Sequence, residues 1–144
     1  MKKLIGVLLL LWVGVWVDTY AQQAEGSLLF SGAGDIVRTD VPGVIRRYQL
    51  GVEGNYFYRY NLSVSAGYEF NYGQNNHVTL GGRYYPLEPV FIRARGLLGS
   101  NSDFALGAGY THNISYRVRL EGMSDYYMVS NAVGFRVGIG ILIN

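Results

Sequence analysis

The sequence predicts an all-β fold: an eight-stranded antiparallel up-and-down transmembrane β-barrel that follows a cleaved N-terminal signal peptide. Three observations predict it. From Val133 to Ile143 the chain alternates, with Val133, Phe135, Val137, Ile139, Ile141 and Ile143 in one phase and Gly134, Arg136, Gly138, Gly140 and Leu142 in the other. The same period of two recurs in segments of about ten residues, the length a tilted strand needs to cross a bilayer. Finally, Lys2 and Lys3 are the only lysines, so the ten other basic residues are all arginine, in a chain with 20 glycines and 13 tyrosines. A water-exposed surface usually carries lysine; arginine suits buried charge held by several hydrogen bonds.

The first element is the signal. Met1-Lys2-Lys3 is a basic start, Leu4 to Val17 carries no charge, and Asp18-Thr19-Tyr20-Ala21 ends in a small residue. The apolar run is shorter than the about 20 residues of a membrane helix. Cleavage is expected after Ala21, with Ala24 a second fit and an uncleaved anchor the alternative. The domains are then 1–21, signal peptide, and 22–144, barrel. Without Lys2, Lys3 and Asp18, ten basic residues face nine acidic ones. No basic patch of a nucleic-acid binder is present. Cysteine is absent, which excludes disulfides and thiol chemistry.

Eight strands follow, at 27–36, 44–56, 61–72, 77–85, 90–99, 103–111, 115–125 and 132–143. The third is the clearest: Leu62, Val64, Ala66, Tyr68, Phe70 and Tyr72 share one phase, and Ser63, Ser65, Gly67, Glu69 and Asn71 the other. The fourth sets Val78, Leu80, Gly82 and Tyr84 against His77, Thr79, Gly81 and Arg83, and the seventh sets Tyr116, Val118 and Leu120 against Arg117, Arg119 and Glu121. Turn chemistry separates them at Pro42-Gly43, Gly73-Gln74-Asn75-Asn76 and Pro86-Leu87-Glu88-Pro89. An even number of strands puts both ends of the barrel domain on one side, with segments 37–43, 73–76, 100–102 and 126–131 as loops on the other.

Alternation does not say which face is inside. Volume does: an eight-stranded barrel has room only for its own side chains, and the small residues, Ser63, Ser65, Gly67, Gly81, Gly107, Gly109, Gly138 and Gly140 among them, lie in the polar phase. Charge agrees. Arg47, Arg83, Arg93, Arg95, Arg117, Arg119 and Arg136 share that phase with Asp35, Glu53, Glu69, Asp103 and Glu121, and an arginine facing lipid at mid-bilayer costs about 2–4 kcal/mol. Aromatic residues collect at strand ends. Tyr56, Tyr58, Tyr60, Tyr84, Tyr110 and Tyr116 form one girdle, and Tyr48, Phe70, Tyr72, Tyr126 and Tyr127 lie nearer the other end. The expected interior is a plug of ion pairs built from Arg47, Glu69, Arg83, Arg93, Arg95, Arg117, Arg119, Glu121 and Arg136. Folding strand seven on eight about residues 128–129 sets Glu121 opposite Arg136. Folding six on seven sets Gly107 opposite Arg119 and Gly109 opposite Arg117.

Gln22-Gln23 after the signal, the strand Phe104-Ala105-Leu106-Gly107-Ala108-Gly109-Tyr110 and the terminus Val133-Gly134-Phe135-Arg136-Val137-Gly138-Ile139-Gly140 resemble small eight-stranded outer-membrane β-barrel proteins. These form the porin-like group, or outer membrane protein β-barrel domain, of Bacteroidetes-type Gram-negative bacteria. The resemblance covers the whole of 22–144 and implies an outer-membrane location, lipid as the surrounding partner, and insertion by the barrel-assembly machinery. Members usually end in an aromatic residue; this chain ends Ile141-Leu142-Ile143-Asn144.

No catalytic set emerges. His77 and His112 are the only histidines, and although Ser100, Ser102 and Asp103 are expected near His77, spacing places no nucleophile beside a base. No metal-ligand spacing or cofactor motif is present. Gly32-Ala33-Gly34 and Gly138-Ile139-Gly140 read as strand glycines, since no phosphate-binding helix follows either. The expectation is a monomeric, non-enzymatic barrel with a side-chain-filled polar lumen and a structural role in the envelope. Three alternatives stay open: a narrow porin-like channel for small solutes, a surface adhesion barrel, and a soluble lipocalin-like carrier with its apolar phase turned inward.

Overall fold

A computed structural model describes residues 23–39 and 49–144. The expected signal peptide, Arg47 and Tyr48 lie outside the described residues. Eight strands form β1 (Leu28–Arg38), β2 (Gln49–Arg59), β3 (Leu62–Asn71), β4 (His77–Leu87), β5 (Val90–Leu98), β6 (Asp103–Asn113), β7 (Val118–Tyr127) and β8 (Ala132–Ile143). Each pairs antiparallel with the next, and β8 closes on β1, giving a barrel in sequence order. The closed eight-stranded antiparallel up-and-down barrel read from the sequence is the one observed, with its strands close to where the alternation places them.

Most boundaries differ by one to three residues, and two matter here. The first concerns β6, which runs on to Asn113. The chain then turns through residues 114–117, with Ile114 N donating to Val118 O at 2.9 Å and Ser115 N to the same oxygen at 3.1 Å. Tyr116 and Arg117 therefore stand in the turn rather than in β7. Second, β2 runs on to Arg59, past the expected end at 56, while its expected start at 44 lies outside the described residues. Gly73 takes a φ of 75° in the β3–β4 loop, a conformation that glycine adopts without a Cβ penalty.

The strands are tilted, as closure requires. Leu28, Tyr56, Val64, Gly82, Ala94, Leu106, Tyr126 and Val133 are successive cross-strand partners. Val133 O then accepts from Thr39 N at 2.9 Å, so one circuit of the wall climbs β1 from Leu28 to Thr39. A bulge between Asp35 and Val37 lets Ile36 loop outward.

The apolar phase faces out. Ile139 is 55% exposed, while Arg83 and Arg136 are each 2% exposed. The reading of a carrier with an apolar interior loses its basis, because the large aliphatic side chains line the outside wall. Small residues also reach this outer face in register pairs, Gly54 with Ala66, Gly82 with Ala94 and Ala108 with Ser124.

Two apolar layers nevertheless sit inside. Leu29, Phe57, Tyr85, Phe91, Met123 and Leu142 pack together towards the end where β1 starts and β8 stops. Tyr85 lies between Phe57 and Phe91, with ring centroids 5.8 and 5.3 Å away. Leu97, Ala105 and Tyr127 pack near the opposite, loop end. The charged groups fill the space between.

Candidate functional site: the lumen ion-pair network

Inward positions recur at every second residue, and charges from β1, β2, β3, β4, β5, β7 and β8 meet in the lumen, with Arg119, Glu121 and Asp125 all from β7. Arg83 and Arg93 are directly opposed on β4 and β5, where like charges repel. They turn to different carboxylates. Arg83 donates from Nη1 to Glu121 Oε1 and Oε2 at 2.8 and 3.0 Å, and from Nε and Nη2 to Glu53 Oε1 at 3.1 and 2.8 Å. Its guanidinium also lies 4.9 Å from the centre of the Phe91 ring, on top of the apolar layer. Arg93 forks onto Asp125, with Nε 2.8 Å from Oδ1 and Nη2 bonded to Oδ2.

Asp125 is shared. Arg95 Nη2 donates to its Oδ2 at 3.0 Å, and Arg95 Nη1 reaches Glu69 Oε1 at 2.5 Å. Glu69 Oε1 also accepts from Arg136 Nη1 at 2.6 Å, and Arg136 Nε pairs with Asp35 Oδ1 at 2.6 Å. Gln49 Nε2 bonds Glu69 Oε2, and Gln49 Oε1 accepts from Arg38 at 3.5 Å. Arg38 stacks over Tyr127, 4.0 Å from the ring centre. The result is one triad, Glu53–Arg83–Glu121, and one chain, Arg93–Asp125–Arg95–Glu69–Arg136–Asp35. Planar guanidinium forks allow Arg83, Arg95 and Arg136 each to serve two carboxylates at once.

Several expected site residues take different places. Glu121 does not face Arg136 across the β7–β8 ladder; its partner there is Gly138, and Arg136 stands opposite Met123. The carboxylate finds Arg83 across the lumen instead. Gly107 is opposite Asp125 and Gly109 opposite Met123, not opposite Arg119 and Arg117. These glycines still make room, but for other groups. A Cβ on Gly107 would run into the Asp125 carboxylate, and one on Gly109 into the Phe91 ring. Arg117 is exposed in the turn and belongs to no lumen pair. Arg119 is buried towards the barrel's end, where Nη1 donates to Gln23 Oε1 at 2.5 Å. Asp125, which binds two arginines, was missed, although it continues the Arg119, Glu121, Met123 phase.

Tyr56, Tyr84, Tyr110 and Tyr116 all point outward at the turn end, and Tyr72 at the loop end is 83% exposed. Tyr127 leaves the expected outer girdle and faces inward beneath Arg38.

His77 is held in local hydrogen bonds at the loop end. His77 Nε2 faces Asn101 O at 2.8 Å and Nδ1 faces Asn71 Nδ2 at 3.1 Å, which places the ring proton on Nε2. Ser102 Oγ donates to Gly99 O at 3.1 Å. Asp103 holds the β7–β8 loop, accepting from Val129 N at 2.8 Å and Ser130 Oγ at 2.5 Å. His112 is an exposed residue near the end of β6.

No family model matches the chain, and no curated protein matches it. Solved structures do. One is a de novo designed transmembrane β-barrel, at TM-score 0.70 and 17% identity over 85% of this chain and 99% of that one. A second is the designed barrel TMB2.3 in solution, at 0.67 and 22% over 85% and 98%. The third is the N-terminal β-barrel domain of Pseudomonas aeruginosa OprF, at 0.61 and 14% over 84% and 100%. At these identities the likeness is one of fold.

Proposed function

We propose that this chain is an integral outer-membrane β-barrel protein of Gram-negative type whose lumen is plugged by its own side chains, with a structural role in the envelope. The observation that carries this reading is the sorting of the two phases. Half-exposed aliphatic residues surround the barrel, while Arg83, Arg93, Arg95 and Arg136 are buried within it against carboxylates. Such an exterior suits hydrocarbon, and a closed ring of strands presents no open sheet edge to it. The tyrosines at the turn end suit a headgroup interface. The exported, lipid-embedded monomer would be inserted by the barrel-assembly machinery, as its resemblance to porin-like barrels implies. In this reading it binds no nucleic acid and is not an enzyme; both ring nitrogens of His77 are taken up by Asn71 and Asn101.

Fractionation tests the location. In the outer-membrane fraction the unheated protein is expected to migrate differently from the boiled one on a cold detergent gel. A soluble protein with no heat-dependent shift overturns the reading.

A narrow channel is the second reading, and the lumen argues against it. Beside the ion pairs lies a cavity of about 10 Å³, and at the turn end, by Gln23, Tyr85 and Arg119, one of about 20 Å³, room for about one water each. Planar-bilayer recordings of the purified barrel are expected to show no unitary conductance. Regular channel openings would replace the plug with a pore. Adhesion has less support, because the described loops at 72–76, 99–102 and 128–131 are at most five residues long.

A further inference from the structure

Residues 23–27 lie across the turn end of the lumen. Ser27 N donates to Ala24 O at 3.2 Å, closing a four-residue turn whose third residue, Gly26, has a φ of 82°. That position of such a turn favours glycine, because a Cβ penalises positive φ. The turn is pinned to β2: Gly26 N donates to Phe57 O at 2.9 Å, and Phe57 N to Ser27 O at 3.0 Å. It carries the chain back over the barrel's mouth, where Gln23, five residues before β1, is 1% exposed.

Gln23 reaches β7, two strands from β1 around the wall. Its Oε1 accepts from Arg119 Nη1 at 2.5 Å, and it shares the small turn-end cavity with Tyr85, Thr111 and Asn113. Tyr85 belongs to the inner apolar layer, so Gln23 lies over that layer as a cover. Thr111 shows what the cover does. It stands two residues from the end of β6, yet is 4% exposed. The hold is loose. Gln23 Nε2, Thr111 Oγ1 and Asn113 Oδ1 are buried with no hydrogen-bond partner among the described residues. Water satisfies such groups, so burying them dry weakens the closed arrangement.

We propose that residues 23–27 are a releasable latch on the turn end of the lumen, with Gln23 as its bolt and Gly26 as its hinge. The proposal deepens the plugged-barrel reading and rests on it. The latch governs which inward side chains meet water at the turn end, while the apolar layer beneath keeps the lumen shut.

The chain has no cysteine, so one introduced thiol can be followed alone. The test labels Thr111→Cys with a charged methanethiosulfonate in the purified protein in detergent micelles. Two references are His112→Cys, at an exposed neighbour, and Ser65→Cys, at a buried site on β3. With the strap intact, the thiol of Thr111→Cys is expected to react far more slowly than that of His112→Cys. Gly26→Val should raise its rate about tenfold, since a β-branched residue disfavours positive φ. A Cβ at Gly26 meets nothing within 4 Å, so this variant acts through the backbone alone. Gln23→Ala, which removes the bolt, should raise the rate as well, and Ser65→Cys should stay slow with either strap variant. A Thr111→Cys thiol that matches His112→Cys with the strap intact, or that ignores both strap variants, overturns the latch. An equal rise at Ser65→Cys also overturns it, because the whole barrel would then have loosened. Labelling reads one end of the lumen and conductance reads its whole length, so failure of the latch and failure of the plug are told apart.

Discussion

Replacing Glu121 with alanine is expected to destabilise the barrel by about 3 kcal/mol. Removing one partner of a buried ion pair typically costs about 3–5 kcal/mol, because the remaining charge is left uncompensated. Arg83 keeps Glu53, which puts the expected loss at the low end. The control is Glu88→Ala in the exposed β4–β5 turn, where a change within about 0.5 kcal/mol is expected. Urea unfolding of the micelle-embedded protein gives both values. The pair Glu121→Ala with Arg83→Met adds a sharper criterion. If the cost is an orphaned guanidinium, the double variant recovers stability relative to Glu121→Ala alone. Equal small effects of Glu121→Ala and Glu88→Ala would mean that the triad carries little of the stability.

The second large effect is expected on the outside wall. Val137 sits midway along β8, faces outward, and has Gly122 and Gly34 as cross-strand neighbours. Val137→Arg puts a charge among lipid tails and should cost about 2–4 kcal/mol if that face lies at mid-bilayer. Val129→Arg, in the β7–β8 loop, should cost close to nothing because Val129 is 73% exposed beyond the strands. Folding titrations in phospholipid vesicles separate the two. A tolerated arginine at Val137 would mean that water, not lipid, surrounds the barrel.

Strand number, order and the inward phase could be read from the sequence because they depend on local signals. Alternation marks each strand, turn residues mark the gaps, and the volume of an eight-stranded lumen decides which phase is small. Register is a different matter. Shifting one strand by two residues preserves every face, so alternation fits Glu121 opposite Arg136 as well as Glu121 opposite Gly138. Only the turns decide, and the β6–β7 turn sits further along than expected because β6 continues to Asn113. The partners of Glu121 and Glu69 were hidden for a second reason. Arg83–Glu121 and Arg136–Glu69 span the lumen rather than a ladder, and no sheet-neighbour rule reaches across it. The inner apolar layer did leave a trace. In Tyr56-Phe57-Tyr58 and Tyr84-Tyr85, consecutive large side chains must alternate between faces, so Phe57 and Tyr85 had to point inward.

The closing seam couples parts of the chain a hundred residues apart, and its alignment is keyed by charge. Asp35 and Arg136 are direct register partners across β1 and β8 and form an ion pair at 2.6 Å. A slip of one residue would turn the charged face to the outside. A slip of two would keep the faces but part Asp35 from its register partner Arg136. The last strand to dock thus has one alignment that satisfies both its hydrocarbon side and its charge. A wall that shuts in that alignment leaves no free strand edge on which another chain could add.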